Sequence, residues 1–138
     1  MIDRYAPPEI AGLFTDEARF RTWLEVEILA AEAWAKLGVV PPADAAAIRE
    51  RADFDIEAIR AREAVTDHET AAFVDVVQER IGGPAAKWVH FGLTSYDVVD
   101  TAMAVTLVRA CDLVIDAVAD LEAAVVKRAR EHRDTPMA

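Results

Sequence analysis

The stretch "SYDVVDTAMAVTLVRACDLVIDAVADLEAAVVKRAREH", residues 95–132, contains neither glycine nor proline and predicts a single long helix. At 1.5 Å per residue this helix would be about 55 Å long, which is more than one small domain can cover. Its apolar residues occupy a wide sector without strict heptads, so a helical bundle shared between subunits is favoured over an isolated coiled coil. We therefore expect this helix to pack against something outside the chain.

The residues before this stretch predict shorter helices separated by proline and glycine. These helices should cover residues 15–37, 42–51, 53–64 and 66–81, with Thr15, Asp53 and Thr66 as N-caps and Gly38 as a stop signal. One face of the first helix carries large apolar side chains at steps of three and four, namely Phe20, Trp23, Leu24, Ile28, Ala31 and Trp34. No stretch alternates like a strand. The sequence thus predicts an all-α fold, with an N-terminal helical domain at 1–94 and the first helix of a bundle at 95–138.

Composition restricts the partners and the location of the chain. The 138 residues suffice for one domain with a core, and their net charge of -10 disfavours nucleic acid or an anionic membrane surface as a partner. No apolar run approaches the roughly 20 residues needed to span a bilayer, and the first residues lack a signal-peptide pattern. A single cysteine, Cys111, provides neither an internal disulfide nor a zinc site. We expect a cytoplasmic protein.

The segment "HFGLTSYDVVDTA", residues 90–102, places two hydroxyls where the long helix begins. Thr94 and Asp97 fit a capping box, which by itself accounts for the hydroxyl. Alternatively, Thr94 and Ser95 together with the free N–H groups of the helix start form a carboxylate or phosphate site, which Gly92 would let the backbone approach closely. His90 lies nearby, and both a functional role and a satisfied, partly buried position fit its surroundings.

Two further segments contain candidate binding residues. In "TDHETAAF", residues 66–73, Thr66 as the cap would place His68 in the first turn, where the helix dipole favours a neutral imidazole and the neighbouring carboxylates oppose it. In "DRYAPPE", residues 3–9, Arg4 and Tyr5 offer a guanidinium and a phenol to an anionic or aromatic ligand. Each segment also has an ordinary structural explanation, as a helix start and as a docked terminus.

Taken in order, three segments resemble one family. "RYAPPEIAGLFTDEARFRTWLEVEILAAEAWAKLG" (4–38), "TDHETAAFVDVV" (66–77) and "KWVHFGLTSYDVVDTA" (87–102) are similar to the N-terminal part of bacterial adenylosuccinate lyases, in the fumarase/aspartase superfamily. The similarity covers residues 2–138. The Thr-Ser segment is shared with other members of the superfamily, whereas the opening Arg-Tyr and the helix after it indicate the adenylosuccinate branch.

The resemblance implies a lyase of purine biosynthesis that eliminates fumarate. Its substrates would be adenylosuccinate, which gives AMP, and the succinyl-carboxamide ribotide SAICAR, which gives AICAR, and the family uses neither metal nor organic cofactor. Removal of a proton next to a carboxylate builds negative charge there, and preorganised N–H and hydroxyl donors stabilise that charge most in the transition state.

The resemblance also implies a role for each candidate residue. Arg4 and Tyr5 would hold the nucleotide, and the Thr94–Ser95 pair would bind a succinyl carboxylate. His68 would contact the substrate and assist proton transfer. The flanking contact positions are occupied by Asp67 and Glu69, although the family pattern has a basic residue or an amide before the histidine and aspartate after it. An acid at position 67 would repel a phosphate, so that contact is either missing or made by the backbone.

Other implications concern the rest of the molecule and the rival hypotheses. In the family, the general-acid segment and the loop with the catalytic serine follow after the position of Ala138, and three subunits of a homotetramer complete each site. We therefore expect this chain alone to be inactive. The alternatives are another lyase of the superfamily, such as argininosuccinate lyase, and a non-catalytic helical assembly module.

Overall fold

The computed structural model describes residues 3–136, which form α-helices, short 3-10 segments and no strand. This confirms the prediction of an all-α fold. The 3-10 segments are Asp3–Tyr5 and Gly83–Trp88. The helices are α1 (Pro8–Leu13), α2 (Asp16–Lys36), α3 (Pro42–Arg51), α4 (Ile56–Thr66), α5 (Glu69–Ile81) and α6 (Ser95–Glu131).

Helix α2 forms one side of the core and follows the predicted pattern. The Thr15 side chain caps it by accepting a hydrogen bond from the Ala18 amide at 3.1 Å, and Gly38 with a φ of 76° follows its C-terminal end. The predicted apolar face is confirmed, since its first five residues are buried and Trp34 is half-buried. Phe73 of α5 is fully buried and stacks on Phe20 with ring centroids 5.6 Å apart. Aromatic packing between α2 and α5 therefore holds the centre of the fold.

Two predicted helix starts are wrong. Asp55, not Asp53, caps α4 by accepting from the Ala58 amide at 2.7 Å, while Asp53 binds Arg21 at 2.8 Å. The chain stays extended through residues 52–55 because the intervening Phe54 packs against the core, and this extension moves the helix start by two residues.

The start of α5 is displaced in the same way. Thr66 is the last residue of α4, and Asp67 ends that helix in the left-handed conformation, with a φ of 51°. His68 is the N-cap of α5, so it lies just before the first turn and not within it.

Helix α6 matches the predicted bounds but only its first turns are covered. Val98, Ala102 and Thr106 are buried against the rest of the chain, with α2 and α1 as the neighbouring helices. Beyond them most large apolar side chains are exposed, for example 63% at Ile115 and 62% at Leu121. The prediction that this chain does not cover the whole helix is confirmed. Within the described residues, no helix has the length and apolar character needed to cross a membrane.

Candidate functional site

A cleft of about 440 Å³ lies where the N-terminal ends of α5 and α6 face α1 and α2. Its wall is largely apolar, with a few polar groups at the two helix starts. Three of the predicted site residues, His68, Glu69 and Ser95, line it together. The other lining residues are Leu13, Phe14, Arg19, Trp23, Thr70, Tyr96, Val99, Ala102, Met103 and Thr106. Residues that are distant in sequence therefore meet at a single concave surface.

His68 is positioned by its own helix cap. Its Nδ1 accepts a hydrogen bond from the Ala71 amide at 3.2 Å, which satisfies one of the free N–H groups at the start of α5. An Nδ1 that carries a proton cannot accept this bond, so the cap requires the tautomer with the proton on Nε2. From the sequence alone, the helix dipole and the neighbouring carboxylates act on this ring in opposite directions and leave its state undecided, whereas the structure identifies Nδ1 as a hydrogen-bond acceptor. Nε2 remains as the ring nitrogen available to a ligand.

The start of α6 is a helix cap as well as a wall of the cleft. Thr94 is the N-cap, and its backbone amide donates to Oδ2 of Asp97 at 2.8 Å, as in a capping box. Ser95 is the first helical residue and lines the cleft, while Thr94 is exposed beside it. In the first turn the Asp97 amide donates to the Thr94 carbonyl at 3.0 Å, whereas the amides of Ser95 and Tyr96 precede the regular hydrogen-bonding pattern of the helix. This end of the cleft suits a carboxylate.

The charged groups in the cleft are paired with each other. Both carboxylate oxygens of Glu69 accept from the guanidinium of Arg19, at 2.8 and 2.6 Å. This hydrogen-bonded pairing raises the pKa of Arg19 above its ordinary value. Because Glu69 neutralises Arg19, an anionic ligand would be attracted mainly by the two helix starts.

A buried carboxylate holds the segment that leads into α6. Glu27 is only 2% exposed and accepts from the His90 amide at 2.7 Å, while its Oε1 lies 2.6 Å from His90 Nδ1. Of the two interpretations of His90, the satisfied and partly buried one is therefore correct.

Gly92 has a φ of 74°, and a Cβ at this position would lie 3.0 Å from the indole of Trp34. Gly92 thus allows the close approach of Trp34, and the expected close approach of this backbone to a ligand stays a prediction.

Four predicted site residues do not line the cleft: Arg4, Tyr5, Asp67 and Thr94. Arg4 and Tyr5 are exposed, and Arg4 Nη2 donates to the Tyr5 hydroxyl at 2.9 Å. The guanidinium of Arg4 also lies 4.8 Å from the centre of the Tyr5 ring. The pair therefore presents a guanidinium and a phenol at the surface, and neither side chain lines the cleft with His68 and Ser95.

The sequence interpretation missed Arg19 and Tyr96, which both line the cleft. A signal for Arg19 was available. A cation in the first turns of a helix opposes the helix dipole, so Arg19 near the start of α2 requires an anionic partner. Tyr96 gives no comparable signal because an exposed tyrosine is common on any helix. Within residues 3–136 no group of three or more His, Cys, Asp and Glu side chains is arranged to hold a metal ion.

Comparison with known proteins assigns the chain to a family. A family model described as "Lyase" matches residues 4–138. Adenylosuccinate lyase of Bacillus subtilis is 47% identical over 137 residues, which are 99% of this chain and 32% of that protein. The chain therefore spans about a third of the length of this curated relative.

Two solved structures have the same fold. The crystal structure of a fumarate lyase from Mesorhizobium sp. BNC1 superimposes with a TM-score of 0.87 at 29% identity, covering 97% of this chain and 32% of that one. The 3-carboxy-cis,cis-muconate lactonizing enzyme of Pseudomonas putida gives a TM-score of 0.88 at 31% identity, covering 99% and 33%. The chain belongs to the lyase family, and its all-helical fold is that of the fumarase/aspartase superfamily.

Proposed function

We propose that this chain is the N-terminal portion of a lyase of purine biosynthesis. The complete enzyme would eliminate fumarate from adenylosuccinate to give AMP, and from SAICAR to give AICAR. The 47% identity with Bacillus subtilis adenylosuccinate lyase supports this substrate class over that of the solved structures, which are 29% and 31% identical. The observation that carries the proposal is the convergence of His68 and Ser95 on one cleft at two helix N-termini.

The geometry of the cleft suits the elimination. When a proton leaves the carbon next to a carboxylate, negative charge spreads onto the carboxylate oxygens. Ser95 and the N–H groups at the start of α6 are fixed donors for this charge, and they lie beside a mostly apolar wall that strengthens their effect. His68 contributes a neutral ring with a proton on Nε2, which suits a contact that assists proton transfer. Thr94 extends the donor set from the exposed side of the same helix start.

The remaining assignments place the nucleotide outside the cleft. Arg4 would bind the phosphate through its guanidinium, and Tyr5 would stack beside the base or ribose. Asp67 is held at the surface between α4 and α5, and we assign it a contact through its backbone because its carboxylate would repel a phosphate. Glu69 was expected to contact the substrate, and since each of its oxygens accepts one hydrogen bond from Arg19, we assign it a task in holding this side of the cleft. We propose no metal or organic cofactor.

The exposed length of α6 supports assembly into a homotetramer. Residues 95–138 would be the first helix of the shared bundle, and 1–94 would be the N-terminal domain. Large apolar side chains line this helix for several turns, and such a surface is usually covered by a partner in the native assembly. A cytoplasmic location agrees with a purine enzyme. The general acid and the catalytic serine would come from the rest of the protein, so we expect the 138-residue chain to be inactive by itself.

The proposal is tested with the chain extended through its natural downstream sequence. We expect this assembled protein to release fumarate from adenylosuccinate and not from argininosuccinate, while the 138-residue chain releases none. An Arg4→Ala variant should raise the KM for adenylosuccinate strongly because it loses the phosphate contact. Release from argininosuccinate alone would identify a sister lyase. No release from either substrate, and no saturable heat on titration with AMP, would favour a helical assembly module.

A further inference from the structure

We propose that Arg19 is a positioning residue that orients His68 by holding Glu69. This inference rests on the proposed function, because it concerns the reaction in which His68 takes part. It assigns to Glu69 a structural task inside the site in place of a direct contact with the substrate. The link runs from Arg19 on α2, through the carboxylate of Glu69, to the cap of α5.

The pair between Arg19 and Glu69 has the geometry of a rigid clamp. Nη1 donates to Oε2 at 2.8 Å and Nη2 donates to Oε1 at 2.6 Å, so two parallel bonds join the groups. A bidentate pair of this kind fixes orientation as well as distance. Both side chains are about one-third exposed, at 33% and 37%, so the clamp lies in the cleft wall and not on the open surface.

Arg19 is itself held in place on α2. Its guanidinium carbon lies 4.3 Å from the ring centre of Phe20 and 5.1 Å from that of Trp23, and both rings are buried. Nη2 also lies 3.4 Å from Asp16, which in turn accepts from Arg60 on α4 at 3.0 Å. The aromatic core therefore supports the clamp on one side, whereas the solvent-exposed Asp16–Arg60 ion pair on the other side contributes little.

Glu69 connects the clamp to His68 through the first turn of α5. It is the first residue of α5 and directly follows the N-cap His68, whose Nδ1 accepts from the Ala71 amide at 3.2 Å. The next residue, Thr70, is only 5% exposed, so the turn is fixed on the core side as well. With Nδ1 engaged by the cap, the direction of Nε2 depends on how this turn is held. Loss of the clamp would let the turn and the imidazole move relative to Ser95.

The test uses the assembled full-length enzyme with an Arg19→Lys variant. Lysine keeps the charge but loses the fork, so kcat should fall about 10- to 100-fold, as expected for a misplaced group, while KM changes less than about 3-fold. The matched control is Arg60→Lys at the outer end of the same network, where kcat should stay within about 2-fold. A large rise in KM at unchanged kcat would instead make Arg19 a substrate-binding residue and overturn the proposal.

The dependence on His68 is tested by combining variants. If Arg19 acts through the histidine, Arg19→Lys should lower kcat no further in a His68→Ala background. Equal losses in both backgrounds would show that Arg19 acts elsewhere, and the proposal would fail. A merely structural role would also predict such equal losses, because damage to folding does not depend on His68.

A measurement that does not depend on enzyme activity separates this inference from the proposed function. Hydrogen exchange of the amides in residues 69–72 should be faster in Arg19→Lys than in the unaltered protein or in Arg60→Lys. Unchanged exchange would overturn the clamp even if the enzyme releases fumarate. Faster exchange in a protein that releases no fumarate would retain the clamp and refute the proposed function.

Discussion

Replacing Gly92 by alanine tests how the segment before α6 is built. Gly92 has a φ of 74°, a left-handed conformation that costs an L-residue about 1–2 kcal/mol. The new Cβ would lie 3.0 Å from Cζ2 of Trp34, so the indole must move. Trp34 Nε1 donates to the Phe91 carbonyl at 3.1 Å, and losing that bond removes about 0.5–1.5 kcal/mol. The variant should therefore lose about 1.5–3.5 kcal/mol of unfolding free energy.

The control for Gly92→Ala is Gly38→Ala. Gly38 has nearly the same φ, 76°, but nothing lies within 4 Å of its Cβ position, so only the backbone strain of about 1–2 kcal/mol applies. Urea unfolding of the 138-residue chain, followed by tryptophan fluorescence, measures both variants. With an m-value of about 2 kcal/mol/M, a difference of about 1 kcal/mol lowers the midpoint of Gly92→Ala by about 0.5 M relative to the control. Equal midpoints would refute the proposed contact with Trp34.

Three further predictions concern the core, the cap and the charged surface. Phe73→Ala should lower the unfolding free energy by about 3–5 kcal/mol in urea titration, because the fully buried ring has three aromatic neighbours. His68→Ala should lose about 0.5–2 kcal/mol by the same assay, whereas His68→Asn should keep the cap and most of the stability. Hydrogen bonds from arginines lower the pKa values of Asp16 and Glu32 below 3.8 and 4.5. The stability that these two ion pairs contribute is therefore complete above those pH values and is lost as the pH falls further. A plot of melting temperature against pH measures this loss, and added salt should make it smaller.

The helices that the sequence predicted best are those with local signals. Thr15 and Gly38 mark the ends of α2, and the apolar residues spaced three and four apart between them form one face. The bounds and the buried face of α2 therefore follow from this short stretch of sequence. The bounds of α6 were predicted because a long run without glycine or proline that is rich in alanine favours one continuous helix. These features depend on residues that are near in sequence.

The wrong predictions concern helix starts and side-chain pairs that depend on tertiary contacts. Asp53 and Thr66 have the side chains of N-caps, but the packing of Phe54 against Phe20 and Phe73 shifts the start of α4 to Asp55. His68 is an uncommon cap residue, so sequence preference alone favours threonine. The pairing of Glu69 with Arg19, which are 50 residues apart, likewise depends on how α5 packs on α2.

The central claim is that the start of α6 binds the carboxylate at which charge develops. The most direct measurement is the rate of fumarate release from adenylosuccinate by the assembled full-length enzyme carrying Ser95→Ala. A matched control is Thr101→Ala, which removes an exposed hydroxyl farther along the same helix. We expect kcat to fall about 10²- to 10³-fold for Ser95→Ala and to remain unchanged for the control. Full activity of the Ser95→Ala enzyme would contradict the account and leave the start of α6 as a helix cap alone.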